Sequence, residues 1–257
     1  METAFITGAT EGIGYELAQI FASKGCNLII VARNTERLTG IKADFEARYG
    51  ISVTCYTADL SVEHNACEVY RRVAASGAEV DYVVNNAGFG TSGLWTELEW
   101  ESERGMIELN VVALAYFTKM FARDMVARGK GRILNVASTA AFESVPYMSA
   151  YAATKAFVLS LSIGVAEELK GSGVTVTALC PGVTASRFHQ RAHTEETLRK
   201  AWILPQSSPA SAAAYGYRIM MKGRLYGVHR AGNRLSMWLI RFLPRRTVAR
   251  LAASTTH

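Results

Sequence analysis

The strongest constraint on the fold is a regular alternation of short β-branched runs with longer amphipathic segments. The helical patterns between these runs imply right-handed crossovers and a mostly parallel sheet. We therefore predict an α/β fold, a doubly wound parallel sheet of about seven strands in a single domain. Ligands of such sheets bind beyond the carboxyl ends of the strands, so function is expected in those loops. The strand-like runs are Thr3–Thr7, Asn27–Val31, Ser52–Thr57, Val80–Val84, Arg132–Ala137 and Val174–Leu179.

The composition fits one globular domain of this kind. The chain has 257 residues, of which 49% are hydrophobic and 19% charged, enough apolar surface to offset the entropy of ordering. Its 4 cysteines lack CxxC spacing, which argues against a disulfide framework and a zinc ribbon. We find no signal-peptide pattern and no apolar run near the ~20 residues of a membrane span. A cytoplasmic protein is expected.

Charge is distributed unevenly along the chain. Residues 1–196 carry 17 basic and 22 acidic side chains, whereas residues 197–257 carry 11 basic and no acidic ones. No nucleic-acid module or basic stripe with interleaved aromatics is present, so no nucleic-acid partner is expected. We divide the chain into a main domain at 1–225 and a basic amphipathic C-terminal extension at 226–257.

The loop after the first strand has the glycine pattern of a dinucleotide site. Gly8 permits a tight turn, Gly12 lets the backbone approach a pyrophosphate, and Gly14 allows close packing of helix on strand. The helical run Tyr15–Lys24 follows directly, so its N-terminus would face the phosphate charge. An ordinary strand-to-helix turn is the alternative, but the position on the first strand of an α/β chain favours a dinucleotide.

The end of the second strand indicates which dinucleotide binds. NAD enzymes place an acidic residue there for the ribose 2′-hydroxyl, but this chain has Ala32-Arg33-Asn34. The guanidinium of Arg33 suits a 2′-phosphate, and Thr10 adds a hydroxyl donor. We therefore predict NADP(H) as the cofactor. The alternative is that Arg33 is a solvated surface arginine.

Three polar residues after the fifth strand suggest proton transfer. Tyr151 and Lys155 are four residues apart and share a helix face, while Ser138 directly follows the strand. An ammonium ~5 Å from a phenol, at an effective dielectric of ~20, would lower the phenol pKa by roughly two units. Tyr151 would then exchange a proton with a carbonyl or alcohol oxygen that Ser138 holds.

These motifs together resemble the short-chain dehydrogenase/reductase family over about residues 3–188. Within it the chain is most similar to the branch of ketone reductases and of fatty-acyl or steroid dehydrogenases, through Asn86–Gly90 and Ala153–Phe157. The resemblance implies an NADP(H)-dependent oxidoreductase that transfers hydride between the nicotinamide and a carbonyl or secondary alcohol of a lipophilic substrate. Other motifs that carry it are Asp59-Leu60, Asn85–Gly88 and Pro181-Gly182.

The resemblance also assigns roles to single residues. It implies that Asn110 is a fourth catalytic residue, that Asp59 contacts the adenine amino group and that Asn86 lies beside the adenosine. Thr184 would contribute backbone to the loop that grips the carboxamide, and Ser186 stands where the family usually has threonine. The segment at about 187–205 follows this loop directly and is predicted to be a helical substrate lid, so the domain at 1–225 is the catalytic, NADP-binding one. The implied catalytic set is Asn110, Ser138, Tyr151 and Lys155, and the implied cofactor-binding set is Gly8, Thr10, Gly12, Ile13, Gly14, Arg33, Asp59, Leu60, Asn86, Ala87, Gly88, Tyr151, Lys155, Pro181, Gly182, Thr184 and Ser186.

Alternatives remain open for function and partners. A 3-oxoacyl thioester reductase and a non-catalytic NADP-sensing or scaffold protein are the rival functions. Helices near Trp100–Met125 and Tyr151–Lys170 predict a homodimer or homotetramer. The segment Ser236–Arg246 either packs near the substrate entrance or contacts an anionic membrane surface. His189 and His193 have helical spacing, but a surface segment is preferred and no metal is expected.

Overall fold

The computed structural model describes residues 1–184 and 207–256. Its centre is a seven-stranded parallel sheet in the order β3-β2-β1-β4-β5-β6-β7, with helices on both faces. The predicted doubly wound parallel sheet is therefore confirmed. The strands are β1 Thr3–Thr7, β2 Asn27–Ala32, β3 Val53–Thr57, β4 Tyr82–Asn85, β5 Gly131–Val136, β6 Val174–Cys180 and β7 Tyr226–Val228.

The helices follow the strands in the expected alternation. A π-helical turn at Glu108–Ala113 joins α4 to α5, and 3-10 turns lie at Thr139–Phe142 and Ile240–Phe242. The α-helices are α1 Gly12–Ser23, α2 Thr35–Tyr49, α3 Asn65–Ala75, α4 Trp100–Ile107, α5 Leu114–Arg128, α6 Ser149–Glu168, α7 Pro209–Met221, α8 Ala231–Leu239 and α9 Arg245–Thr256.

Each of the six predicted strands is present, with ends displaced by at most two residues. The seventh strand, β7, was not predicted because its three residues include Gly227 and show no readable alternation. It pairs in parallel with β6, with Ala178 opposite Tyr226. The division of the chain at residue 226 stays a prediction, although the sheet itself continues past that point.

Alternating side chains of the strands divide the core into two layers. Ala4 and Ile6 of β1 pack with Phe21 of α1 on one face of the sheet, whereas Phe5 packs with Phe117 on the other. Because helices cover both faces, the central strands are apolar on both sides. The strand order reverses between β1 and β4, which opens a crevice at their carboxyl ends.

Two helical segments, Trp100–Arg128 and Ser149–Glu168, are long and apolar enough to cross a membrane by length and composition alone. Both contribute fully buried side chains to the core, among them Phe117 and Val158. Helices that pack against a buried sheet have this composition, so the core accounts for part of their apolar character.

Candidate active site

The glycine loop is shaped by close backbone contacts. Gly8 has φ +67°, a conformation that costs a residue with a Cβ about 1–2 kcal/mol. A Cβ on Gly14 would lie 2.3 Å from the carbonyl oxygen of Gly8 and from Nδ2 of Asn86. The glycine loop therefore packs closely against the start of α1. This helix begins at Gly12, and the backbone N–H groups of its first turn have no acceptor within the helix.

Thr7 and Asn86 join the glycine loop to the loop after β4. Oγ1 of Thr7 accepts hydrogen bonds from the backbone nitrogens of Asn86 and Ala87, each at 3.0 Å. Nδ2 of Asn86 donates to the carbonyl oxygens of Thr7 and Gly8 at 3.0 and 3.1 Å. Asn86 therefore positions the loop as well as lining the site. The role of Thr7 was missed, since the only signal is its place as the last residue of β1.

A cavity of about 690 Å³ extends from the glycine loop past Ser138 and Tyr151 to the C-terminal segment. Its size falls within the range of cofactor and ligand sites in proteins. Of the predicted cofactor residues that the structure describes, all but Gly14 line this cavity, and Gly14 packs behind the loop. Ser186 lies outside the described residues. The flat glycine loop, the helix N-terminus and the cavity beyond them fit a dinucleotide.

The end of β2 places charged groups at one corner of the cavity. The guanidinium of Arg33 lies 3.6 Å from the carboxylate of Asp59, and both side chains are partly exposed. Burial raises the pKa of Asp59, but hydrogen bonds from Ser61 and the nearby Arg33 outweigh it and hold that pKa below its ordinary value. Arg37, which was not predicted, also lines the cavity and pairs with Glu11 at 3.3 Å.

Ser138, Tyr151 and Lys155 lie together on the cavity wall. Ser138 lies two residues after the end of β5, and Tyr151 and Lys155 occupy the first two turns of α6. The Ser138 hydroxyl lies near enough to the Tyr151 phenol to lower its pKa. Nζ of Lys155 donates to the carbonyl oxygen of Val136 at 2.9 Å and lies 5.8 Å from the centre of the Tyr151 ring.

Burial dominates the electrostatics of this group. It raises the pKa of Tyr151 to about 12, against the opposing effect of the Ser138 hydroxyl, and it lowers the pKa of Lys155 to about 8. The expected lowering of the Tyr151 pKa by Lys155 is therefore wrong for this structure. Residue exposures of 9% for Tyr151 and 4% for Lys155 give the reason, because removing water disfavours both charged forms.

Asn110 is fully buried and lies behind the cavity wall, in the π-helical turn. Its Nδ2 donates to the carbonyl oxygen of Phe89 at 2.9 Å and to Oγ1 of Thr154 at 3.1 Å. Its Oδ1 accepts from the backbone nitrogen of Phe89 at 3.2 Å. Asn110 thus ties the loop after β4 to α6, and its catalytic role stays a prediction.

Comparison with known proteins agrees with this geometry. The family profile described as "short chain dehydrogenase" matches residues 2–197. The chain belongs to the short-chain dehydrogenase family. It is therefore an oxidoreductase that acts on CH–OH groups with a nicotinamide cofactor, as its relatives are.

Three relatives of this short-chain dehydrogenase are informative. A short-chain dehydrogenase from Sphingobium yanoikuyae, solved in complex with NADPH, is 30% identical with a TM-score of 0.84, covering 94% of this chain and 93% of that one. The 7beta-hydroxysteroid dehydrogenase of Collinsella aerofaciens is 31% identical over 71% of this chain and 69% of its own. The very-long-chain 3-oxoacyl-CoA reductase of Pyrenophora tritici-repentis is 33% identical over 67% and 52% of the two chains.

The outer end of the dehydrogenase cavity is built by segments without a sequence motif. The loop after Ser138 contributes Glu143 and other residues, and α8 contributes its inward face. A Cβ on Gly182 would lie 2.3 Å from Nδ2 of Asn233, so α8 packs directly on the loop after β6. The predicted lid at 187–205, with His189 and His193, lies outside the described residues. Residues of the outer end are Ala140, Glu143, Val145, Met148, Asn233, Ser236, Met237, Ile240, Leu251 and Ala252.

Proposed function

We propose that this dehydrogenase uses NADP(H) to interconvert a ketone and a secondary alcohol on an apolar substrate. The observation that carries the proposal is that Ser138, Tyr151 and Lys155 line the same cavity as the glycine loop. A non-catalytic NADP-binding protein has no need of all three groups on the cavity wall.

Arg33 supports NADP(H) over NAD(H). It lines the cavity at the end of β2, where the chain has no carboxylate for a ribose 2′-hydroxyl. The Sphingobium relative is a complex with NADPH. In this site Gly12 and Ile13 would bind the pyrophosphate, Arg33 with Thr10 the 2′-phosphate, and Lys155 the nicotinamide ribose. NADPH, when bound, supplies the hydride.

Proton transfer is the task of Tyr151. A pKa of about 12 keeps its phenol protonated at neutral pH, so it can donate a proton to a carbonyl oxygen as that oxygen gains charge. The hydroxyl of Ser138 donates a hydrogen bond to the same oxygen and holds it in reach of the phenol. Lys155, anchored on Val136, adds positive charge beside this pair when it is protonated.

The outer wall favours a lipophilic substrate. Val145, Met148, Met237, Ile240 and Leu251 all face the cavity. Two relatives bear the names of enzymes that act on a steroid and on a very-long-chain acyl-CoA, both with large apolar skeletons. We favour a free ketone, and the 3-oxoacyl thioester reductase is the alternative that a substrate panel distinguishes.

Association through α5 and α6 is part of the proposal. Val126 of α5, Phe157 of α6 and Val112 of the preceding π-helical turn are large apolar side chains that are 40–47% exposed. Water contact with these groups is unfavourable by roughly 25 cal/mol per Å² of apolar area. A homodimer or homotetramer would remove it.

The C-terminal extension supports a peripheral membrane contact. The inward face of α8 lines the cavity, while Trp238 and Phe242 are 55% and 69% exposed and stack edge to face on the outside. Arg241 and Arg245 lie exposed nearby, and the chain has no acidic residue after position 196. Exposed aromatics among arginines suit an anionic lipid surface, from which a lipophilic substrate could enter the cavity.

Loss of NADPH absorbance in the presence of a panel of ketones and 3-oxoacyl thioesters tests the function. We expect turnover of bulky free ketones and much slower turnover of thioesters. Tyr151→Phe is the matched control, since it keeps the ring and removes the proton. NADPH binding without turnover of any carbonyl compound would contradict the proposal.

A further inference from the structure

Glu143 is the feature of the cavity that the proposed chemistry does not use. It directly follows the 3-10 turn Thr139–Phe142 and lines the outer cavity together with Val145 and Met148 of the same loop. Hydride and proton transfer need no carboxylate there. A charged group on a mostly apolar wall is costly unless something binds it.

The other carboxylates of the cavity differ from Glu143 in having partners. Glu11 pairs with Arg37, and Asp59 accepts hydrogen bonds from Ser61 and lies beside Arg33. Glu143 has no hydrogen bond or ion pair with any part of the chain that the structure describes. Burial raises its carboxyl pKa, and no neighbouring cation opposes that shift. Its partner is therefore to be sought in a ligand.

We propose that Glu143 binds a hydrogen-bond donor of the substrate, so that the preferred substrate is an apolar ketone or alcohol with a hydroxyl or amino group remote from the reacting carbon. The inference rests on the proposed function, because it places the reacting carbonyl at Ser138 and Tyr151. It adds a second polar anchor at the other end of the substrate. Two fixed points would select both the length of the substrate and the direction in which it enters.

The spacing along the chain sets the distance between the two anchors. Glu143 is five positions after Ser138, with the four residues of the 3-10 turn between them. Such a turn rises about 2 Å per residue, so the two Cα atoms should be roughly 10 Å apart. The donor should therefore lie some 6–10 Å from the carbonyl carbon by the same estimate. A para-substituted arylcyclohexanone spans that distance with a rigid apolar skeleton.

Three such ketones test the proposal: 4-phenylcyclohexanone, its 4-hydroxyphenyl analogue and its 4-(aminomethyl)phenyl analogue. KM and kcat are measured for the wild type, Glu143→Gln and Glu143→Leu. Glu168→Gln is the control, since Glu168 is an exposed carboxyl at the far end of α6. NADPH affinity and unfolding in urea verify that each variant is folded and binds the cofactor.

We expect the wild type to have a lower KM for the hydroxyl and amino ketones than for the parent ketone. Glu143→Leu should abolish this difference, a change of roughly 10- to 100-fold in relative KM, with kcat little altered. Glu143→Gln should keep the preference for the hydroxyl and lose that for the ammonium, because the amide accepts a hydrogen bond without charge. A change in KM for the parent ketone would be shared by all three ketones and would cancel in the ratio.

An unchanged preference in Glu143→Leu overturns the inference, as does an equal loss of activity on all three ketones. Calorimetric binding of the same ketones in the presence of NADP⁺ separates this result from failure of the proposed function. If no ketone is turned over, but the hydroxyl ketone binds better than the parent ketone and this difference requires Glu143, then the role of Glu143 is supported and the proposed reaction is not. If none binds, the anchor is refuted.

Discussion

Replacing Arg33 with alanine should remove the preference for NADPH. The Arg33 side chain is 55% exposed, so its attraction to a phosphate is screened nearly as in water. At ~4 Å in a dielectric of ~80, unit charges interact by about 1 kcal/mol. A 2′-phosphate carries about −1.5 to −2 charges, so Arg33→Ala should cost about 1.5–2 kcal/mol, or roughly 10- to 30-fold in NADPH affinity.

The carboxylate of Asp59 determines which cofactor the Arg33→Ala variant should prefer. Asp59 lies 3.6 Å from the Arg33 guanidinium and stays ionised, because hydrogen bonds and Arg33 together lower its pKa despite burial. It repels a 2′-phosphate in the wild type and in the variant alike. Once Arg33 is removed, that repulsion is unopposed, so Arg33→Ala should bind NADH at least as well as NADPH.

Fluorescence titration with both cofactors, together with KM for each, measures this preference. Lys24→Ala is the control, since Lys24 is exposed at the end of α1, outside the cavity lining, and removes the same charge. It should leave the cofactor ratio unchanged. If Arg33→Ala retains the wild-type ratio, the reasoning is refuted, and Arg37, which lines the same corner, becomes the candidate phosphate ligand.

Four further changes test other parts of the argument. Tyr151→Phe should lower kcat by about 10²–10⁴-fold and leave the NADPH Kd unchanged in a fluorescence titration; more than about a tenth of wild-type activity would show that another group is the acid. The wild type should scatter light as an oligomer of its 28.0 kDa chain, and Phe157→Glu should dissociate it at micromolar concentration; a monomeric wild type would contradict the proposed interface. A Trp238→Ser, Phe242→Ser variant should lose co-sedimentation with anionic vesicles but not ketone reduction; equal sedimentation of both proteins, or none by either, would remove the membrane contact. Lys155→Met should be more stable than the wild type in urea at pH 7, by about 3 kcal/mol, because folding lowers the Lys155 pKa from 10.5 to about 8. The cost of burying the charged lysine is fully present below pH 8 and vanishes as the pH rises towards 10.5. A difference in unfolding free energy that stays constant from pH 7 to pH 10 would disprove this.

Local patterns were sufficient to predict most of the sheet and the inner half of the site. A buried strand such as Asn27–Ala32 is apolar from Leu28 onwards, and the glycine loop must combine a positive φ at Gly8 with a missing Cβ at Gly14. In both cases the local backbone restricts which residue types can occupy a position, so the pattern can be read from the sequence without knowledge of the fold. Strand β7 has no such restriction, because a three-residue strand at the edge of a sheet can form with almost any residue types.

The outer half of the site could not be predicted in the same way. Met237 and Ile240 face the cavity because α8 packs on the loop after β6, a contact between segments about fifty residues apart. The sequence shows α8 only as an apolar helix with arginines. Which of its faces is inward depends on the docking of Asn233 against Gly182, and that contact has no periodic signature.

The electrostatics of Tyr151 and Lys155 show where reasoning from spacing fails. Four residues on a helix predict that the two groups are close, and Nζ does lie 5.8 Å from the phenol ring. Spacing says nothing about water, however, and the loss of water raises the phenol pKa to about 12 while it lowers the ammonium pKa to about 8. A protonated phenol is the form required for proton donation, whereas alcohol oxidation needs the phenolate. Burial of this pair therefore favours ketone reduction at neutral pH, and alcohol oxidation should gain relative to it as the pH rises.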